Sequence, residues 1–575
     1  MRHIVSYLKP HVPRIFRGIC IKFIGTVMDL GIPYVLAHLI DDVIPTADKA
    51  AIFGWGGIMI LFSVIGLTGN VLANRLSEAV ARDTTIQVRH DLFEKILSLS
   101  AGQTDQVCVS SLVSRMTTDT YNVHKMIGMA QRLGIRGPIL LTGGIVMTLL
   151  LDPVMAAVLI ATIPFIAAAT VWVYKKGIPL YHKLQQVNDK MVRVIRENIS
   201  GIRVIKALSK TDYEKERFDG VNGQVCDSDA KASLTMSLTN PAINLFLNIG
   251  LSLVVLVGAL RVMHGRAQVG EIVAFTSYFM IILNAMMGIT RIFVMSSKAV
   301  ASGRRIEEVL NLPEEMTKER MPLAKVEGYV VFDRVSFGYG HTHILKNISF
   351  SVEKGGSLGI IGATGSGKTT IVNLLMRFYD TKEGDIFVDS RNIRSFELKE
   401  LRRKFGTVFQ NDLLFADTVE NNIRFDRDLD RSRLQQAAED AQANFIGELE
   451  GQYDFHVAAR GTNLSGGQKQ RLLIARALAD HPDILILDDS SSALDYKTDA
   501  MLRQAVRQRH GDSTLIMIAQ RVSSVKDCDQ ILVLENGSAV GCGSHDRLME
   551  TCEIYREIAV SQMGEGVENG TKRTQ

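Results

Sequence analysis

Eight residues in the second half of the chain, GATGSGKT from Gly362 to Thr369, have the spacing of a loop that closes on phosphate. They follow the apolar run SLGII and precede TIVNLLMRFY, so strand, glycine-rich loop and helix come in the order that phosphate binding requires. Glycine lets the backbone amides of Gly362, Ala363, Thr364, Gly365, Ser366 and Gly367 turn inward around an anion. Lys368 then reaches the terminal phosphates, Thr369 offers its hydroxyl to magnesium, and Thr370 follows in the first helical turn. The competing reading is a glycine-rich turn with a chance Lys-Thr, and the flanking strand and helix weigh against it.

Two further stretches bear on the same chemistry. In ILILDDSSSALD, 484–495, four apolar residues end in Asp488 and Asp489. An acid at the end of such a strand holds magnesium beside a nucleotide, which assigns Asp488 to the metal. The next acid must reach a water and take its proton, but Asp489 is one methylene, ~1.5 Å, shorter than a glutamate. The third stretch is NLSGGQKQRLLIARAL, from Asn463. Its two glycines expose backbone donors where a helix begins, Ser465 adds a hydroxyl, and the helix start adds positive dipole. Because the first loop already holds the nucleotide, a second phosphate-binding end makes sense if it grips a nucleotide bound by another subunit.

These motifs, with the long apolar segments that precede them, resemble an ATP-binding cassette exporter half-transporter, and the resemblance runs over nearly the whole chain. It implies an α-helical six-span transmembrane domain with two long cytosolic arms (1–310), a linker (311–325), an α/β P-loop nucleotide-binding domain (326–562) and a disordered tail (563–575). ATP and Mg2+ are the implied ligands, the metal held by Thr369, Gln410 and Asp488. Tyr339 would stack on adenine, and Gln410 would also sense the membrane domain. Ser465, Gly466, Gly467 and Gln468 would serve the nucleotide of a partner subunit, and Ser492, Ala493, Leu494 and Asp495 would form the D-loop at the dimer interface. SLVSRMTTDT (111–120) and ENISGIRVIKA (197–207) resemble the tips of the two arms, which carry coupling helices.

The chain departs from the family pattern in one place twice. The family places glutamate where Asp489 stands and histidine in the switch, where this chain reads IAQR with Gln520. Glutamine can hydrogen-bond a γ-phosphate but carries no charge, and losing an acid–base group costs ~10²–10⁴-fold in rate. The expectation is a site that holds Mg-ATP and hydrolyses it weakly. Its intact signature would then be useful only opposite a second half-transporter with the Walker B glutamate and switch histidine in place; a slow homodimer is the alternative. Upstream of the signature, FHVAARG (455–461) puts His456 and Ala459 where many exporters carry acids, leaving the coupling contact on this side open.

The elements that must position these residues divide the chain in two. Hydrophobic content is 46%, but a mean hydropathy of +0.12 is high for a soluble chain. The excess lies before about residue 300. Six spans are expected near 15–40, 52–74, 133–151, 153–174, 241–263 and 270–295, each close to the ~20 residues a bilayer needs, with Asp152-Pro153 as the turn between the third and fourth. The second long polar gap carries twelve Lys and Arg, whereas the first outer loop carries only Lys49, which puts both arms and both termini in the cytosol. Arg261 and Arg266, near a predicted outer turn, run against that rule. The basic N-terminus leads into a run too long for a cleaved signal. From about 326, short β-rich runs alternate with helical ones, as in an α/β domain with a mainly parallel sheet. The net charge of +4 argues against nucleic acid as the main partner, and six scattered cysteines form no CxxC pair, so neither a zinc site nor a disulfide framework is indicated.

Polar residues in membrane spans are costly and often functional. Asp29 lies mid-span, with a cavity role and an interhelical hydrogen bond as its two readings, and Lys22, seven residues earlier, can snorkel to the interface. In the sixth span Asn284, Met287 and Arg291 are cavity candidates, although methionine at helical spacing is more often packing. The expected cargo is a hydrophobic or amphipathic small molecule exported from a bacterial cell, by resemblance alone. A lipid or peptide translocator, or an ATP-gated regulatory subunit that moves nothing, are the alternatives.

Overall fold

The computed structural model describes residues 2–313, 316–340, 342–490 and 493–563. The chain forms two compact units: one takes residues up to Leu97 together with Ser110–Leu312, the other takes Ser98–Val109 together with the chain from Pro313 onward. The tail expected to be disordered falls, from residue 564, outside the described residues.

The first unit is helical. Its main helices are Val12–His38, Lys49–Ser98, Thr120–Leu151, Pro153–Ser200, Thr211–Ser237, Thr239–Met263 and Val269–Leu310. The expected spans and arms are not separate elements, since membrane helices run on into the arms. Lys49–Ser98 alone is 50 residues, or ~75 Å at 1.5 Å per residue. Among the described residues, five segments are long and apolar enough to cross a membrane: Ile4–Thr46, Lys49–Ser98, Val109–Leu151, Asn244–Met263 and Val269–Ile289. Pro153–Ile166 is apolar but shorter. The Asp152-Pro153 turn forms as expected. Pro153 opens its helix, where a missing N–H costs nothing, and the Asp152 carboxylate accepts from the amides of Val154 (2.7 Å) and Met155 (3.0 Å).

Asp152 also explains Arg261. The arginine Nε donates to the buried Asp152 carboxylate at 2.7 Å, so its position near an outer turn is set by an ion pair between helix ends. Nearby, Asp41 accepts from the amides of Gly270 (2.6 Å) and Glu271 (3.1 Å), tying the end of the first helix region to the start of Val269–Leu310. The helices pack around Met155, Leu159, Val254, Phe275, Phe279 and Ile282.

The arm tips need one correction. The first tip is the helix Ala101–Val107, not 111–120, which lies in Val109–Ser114, a wide π turn at Arg115–Asp119 and the first residue of the next long helix. The tip starts at Ser100, whose hydroxyl and the Gln103 side chain form a reciprocal capping box. The sequence signal was that cap, eleven residues upstream of the stretch that carried the resemblance. In the second stretch, 197–207, Gly201 ends Pro153–Ser200, and the short helix Ile202–Ala207 follows.

The second unit is α/β. Six strands are ordered Ser538–Gly543, Gln530–Glu535, Ser357–Gly362, Thr514–Ile518, Ile484–Asp488 and Phe405–Val408, all parallel except the antiparallel edge Ser538–Gly543. Strands covered on both faces read as continuous apolar runs, and all five residues of Ile484–Asp488 are buried. An antiparallel sheet, ordered Leu345–Val352, Val330–Phe337, Glu383–Val388 and Arg391–Asn392, lies beside it, with a shared core through Leu345, Leu358, Ile360 and Ile371. Ser98–Val109 belongs to this unit: Tyr379 donates to the Asp105 carboxylate at 2.6 Å and Gln103 to the Pro313 carbonyl at 2.8 Å.

Candidate nucleotide site

Four adjacent parallel strands end together, and in open α/β sheets the crevice at their carboxyl ends is where ligands bind. Gly362 ends one, Asp488 another, Gln520 stands two residues past Ile518, and Gln410 two past Val408. The register pairs Ile518 with both Asp488 and Ile360, so the phosphate loop, the metal acid and the switch residue start from one level of the sheet. The sequence motifs, scattered over 160 residues, meet because of that register.

The loop's backbone requires its glycines. Gly365 and Gly367 have φ of 84° and 100°, which side chains with a Cβ resist. At Gly362 the constraint is space, because a Cβ there would lie 2.2 Å from the Leu534 carbonyl oxygen on the neighbouring strand. Gly362→Ala is therefore expected to push the loop off the sheet and lower the stability of this unit by ~1–3 kcal/mol, read as a fall in its thermal midpoint together with lost nucleotide binding.

The polar groups fit a triphosphate. Lys368 Nζ donates to the carbonyls of Gly362 and Ala363, both at 2.9 Å, and thus waits at the loop mouth. Burial lowers the Lys368 pKa, with Asp488 and Asp489 opposing the shift. The Ser366 hydroxyl is buried with no hydrogen-bond partner among the described residues, an orphan that a phosphate oxygen would satisfy. Thr369 Oγ1 donates to Asp488 at 2.9 Å, which places hydroxyl and carboxylate as neighbours on one side of the loop. Asp488 is 1% exposed, and burial raises its pKa, with the Thr369 hydrogen bond and Lys368 opposing. No group of three or more His, Cys, Asp or Glu converges among the described residues, so a magnesium ion here would draw on Thr369, Asp488 and the nucleotide's own phosphates. Gln410 is exposed at the mouth, and Thr370 is buried behind the loop.

Tyr339, expected to stack on adenine, is 36% exposed, and its ring packs edge-on against Phe337 and Tyr379, each at 5.1 Å. Tyr379, which the sequence reading did not single out, thus joins the Tyr339 ring to the Asp105 tip.

The two departures from the family pattern touch. Gln520 Nε2 donates to Asp489 Oδ2 at 3.1 Å. Asp489 has φ of 50° and its amide donates to the Ile518 carbonyl at 2.9 Å, so the backbone of each acid-bearing strand end is pinned to its neighbour. Burial raises the Asp489 pKa, with Lys368, Gln520 and Arg521 opposing.

The signature lies at the start of Gly466–Leu478. Ser465 caps that helix, accepting from the Gln468 amide at 3.3 Å while its own amide donates to the Gln468 side chain at 2.9 Å. The cap uses the hydroxyl as acceptor and leaves its proton to donate. Ala493 packs against this start, since a Cβ on Gly467 would lie 3.2 Å from the Ala493 carbonyl. Leu494 is buried, and Asp495 caps Tyr496–Arg509 through the Thr498 amide (2.9 Å) and hydroxyl (2.7 Å). Ser492 lies outside the described residues.

In the helical unit the structure does not bring the four cavity candidates together. Asp29 pairs with Arg136 and Asn70 on neighbouring helices. Met287 packs onto the helical core and Asn284 is exposed. Arg291 lies in Val269–Leu310, with its side chain outside what the structure describes. Lys22 does not snorkel: it is 3% exposed and donates to Asn74 at 3.0 Å.

A glycine-rich loop closed by Lys368 beside the buried Asp488, a second glycine-started helix and a bundle of membrane-length helices in one chain fit a nucleotide-driven membrane transporter. The comparisons give the family. Residues 15–286 match the ABC transporter transmembrane region and 345–492 the ABC transporter nucleotide-binding model. The chain is 34% identical to the uncharacterized ABC transporter ATP-binding protein YfiB of Bacillus subtilis, over 99% of this chain and 100% of that protein. It is 31% identical to the uncharacterized ABC transporter ATP-binding protein Rv1273c of Mycobacterium tuberculosis, over 97% of each. Among solved structures, a bacterial Atm1-family ABC exporter with ATP bound superposes with a TM-score of 0.80 at 26% identity, covering 96% of this chain and 99% of that one. The chain belongs to the ABC transporter family and has the exporter fold, so its activity is ATP-driven transport.

Proposed function

We propose that this chain is one half of a heterodimeric exporter in a bacterial cell membrane, with six spans, the fourth beginning at Pro153. Its own Walker side binds Mg-ATP through Lys368, Thr369, Asp488 and Gln410 and hydrolyses it weakly. Its signature, Ser465 to Gln468, completes the competent site of a partner that carries the glutamate and the switch histidine. ATP favours the closed arrangement of the two nucleotide domains, and hydrolysis at the partner's site releases it, so differential nucleotide binding drives the conformational cycle. The cargo is a small hydrophobic or amphipathic molecule.

The observation that carries this reading is the Gln520–Asp489 hydrogen bond. A glutamate and a histidine would present a long carboxylate to the water and a chargeable ring to the γ-phosphate. Here the short acid is held by a neutral amide, and one of the amide's two N–H donors is turned to the acid. The loop that grips the nucleotide keeps every group it needs, so binding and hydrolysis are uncoupled at this site.

Co-purification tests it. The chain expressed from its native locus is expected to bring down a second half-transporter with Glu and His at the two positions. Recovery as a homodimer with brisk ATP turnover would overturn the split-site assignment.

A further inference from the structure

The helical unit holds a charged cluster that none of the nucleotide chemistry uses. It lies where the membrane-length segments Ile4–Thr46, Lys49–Ser98 and Val109–Leu151 meet. The first two helices approach through glycine: a Cβ on Gly25 would lie 3.2 Å from the Gly66 carbonyl, and one on Gly66 would lie 2.5 Å from Asp29 Oδ1. That close approach lets side chains from three helices converge. Arg136 Nη2 donates to Asp29 Oδ2 at 3.0 Å, and Asn70 Nδ2 donates to the same oxygen at 3.2 Å. Among the described residues the Lys22 ammonium bonds only to the neutral Asn74, and it lies within electrostatic reach of Arg132, Arg136 and Asp29. Arg132 faces Glu78 at 3.4 Å, and Glu78 is shared with His124 at 2.9 Å.

The charges do not balance. Lys22, Arg132 and Arg136 face Asp29 and Glu78, an excess of one positive charge before His124 is counted. Lys22, Arg136 and Asp29 fall within the expected spans, with one positive charge in excess, and excess charge there is expensive unless something anionic meets it. Two further observations point to a ligand. Arg136 Nε is buried and has no partner among the described residues, while the Arg136 side chain as a whole is 39% exposed, so its guanidinium is open on one side. Apolar packing adjoins it: Leu140, one turn on, is buried in the helical core, and a Cβ on the adjacent Gly137 would touch Ile289 at 3.0 Å. A fork of donors beside apolar packing suits a molecule with an anionic head and an apolar body.

We propose that Arg136, with Arg132 and Lys22, is the anion-recognition site for the cargo, and that the cargo class is amphipathic anions. The inference deepens the exporter reading and rests on it for its purpose, but not for its test, because equilibrium binding needs neither hydrolysis nor a partner. The shared chemistry is a carboxylate or phosphate on an apolar tail, free or as a lipid headgroup.

The full-length chain in phosphatidylcholine nanodiscs is titrated with dansylundecanoic acid and, separately, with its methyl ester. The acid is expected to bind at least about tenfold more tightly, the worth of one charge-assisted hydrogen bond. Arg136→Gln and Arg132→Gln should each weaken the acid about tenfold and leave the ester alone, while Arg136→Lys retains most of the affinity. Glu78→Gln, which removes a negative charge, should tighten the acid, a change of sign that a purely structural role would not produce. Adding phosphatidylglycerol to the nanodiscs separates the sources: competition with the acid identifies a lipid headgroup, no competition a free solute, and both uphold the anion site. Should Arg136→Gln fail to fold by thermal unfolding, Arg132→Gln and Glu78→Gln carry the test. Equal binding of acid and ester, or Arg132 and Glu78 variants that do not move the acid in opposite directions, would overturn the proposal. Failed transport by the assembled pair alongside intact acid binding would instead count against the exporter reading.

Discussion

In the assembled pair, Ser465→Ala on this chain is expected to cut ATP turnover about 10²-fold, the usual cost of removing one hydrogen-bond donor aimed at transition-state charge. Asp489→Asn on the same chain should leave turnover within about twofold, since an acid already short of the water has little left to lose. The asymmetry follows from where the two residues act. Ser465 caps the start of Gly466–Leu478, and in the proposed pair its hydroxyl, the amides and the dipole there would meet a phosphate held by the partner. Asp489, hydrogen-bonded to Gln520, would act at the nucleotide proposed to bind this chain's own loop. Ser465 also caps its helix, and loss of a cap costs ~1 kcal/mol, so Ser465→Gly, which costs only a few tenths, is the needed control. Equal loss in Ala and Gly variants assigns the effect to the hydroxyl. Severe loss from both Asp489→Asn and Ser465→Ala would refute the division of labour between the sites.

What the sequence made legible was whatever is local. The phosphate loop, the Asp152-Pro153 turn and the capped start at Ser465 are each specified within about ten residues by glycine, proline and capping chemistry, and each forms where the spacing predicts. The convergence of Gly362, Gln410, Asp488 and Gln520 was legible only through the family resemblance, because it depends on strand order, which no local pattern encodes. What stayed hidden was pairing between distant segments. Arg136 was in plain view within an expected span, yet its partner Asp29 lies 107 residues away. Arg261 read as a violation of the charge rule because Asp152, 109 residues earlier, could not be seen to meet it. The first arm tip was misplaced for a related reason: Ala101–Val107 is marked by a modest capping box, and its contact with Tyr379 spans 274 residues.

Restoring both family residues at once, Asp489→Glu with Gln520→His, is expected to raise ATP turnover by the chain purified alone by about 10²-fold, the lower end of what a positioned acid–base group contributes. Each alone should give far less, because the two side chains touch and act as a unit. Glutamate alone would extend ~1.5 Å farther into the site while still tied to an amide. Histidine alone would find a carboxylate too short to reach the water. The backbone accepts the change: Asp489 already has φ of 50°, its amide is fixed to the Ile518 carbonyl, and a second non-glycine residue there costs no more than the first to within ~1 kcal/mol. The remaining machinery is in place, with Lys368 at the loop mouth, Thr369 on Asp488 and an orphan hydroxyl at Ser366. Phosphate release by the purified full-length variant, compared with wild type and with each single change at saturating Mg-ATP, measures the effect. A wild-type chain that already turns over near ~10 s⁻¹, or a double variant no faster than either single one, would mean that the short acid and the neutral amide are not what limits this site.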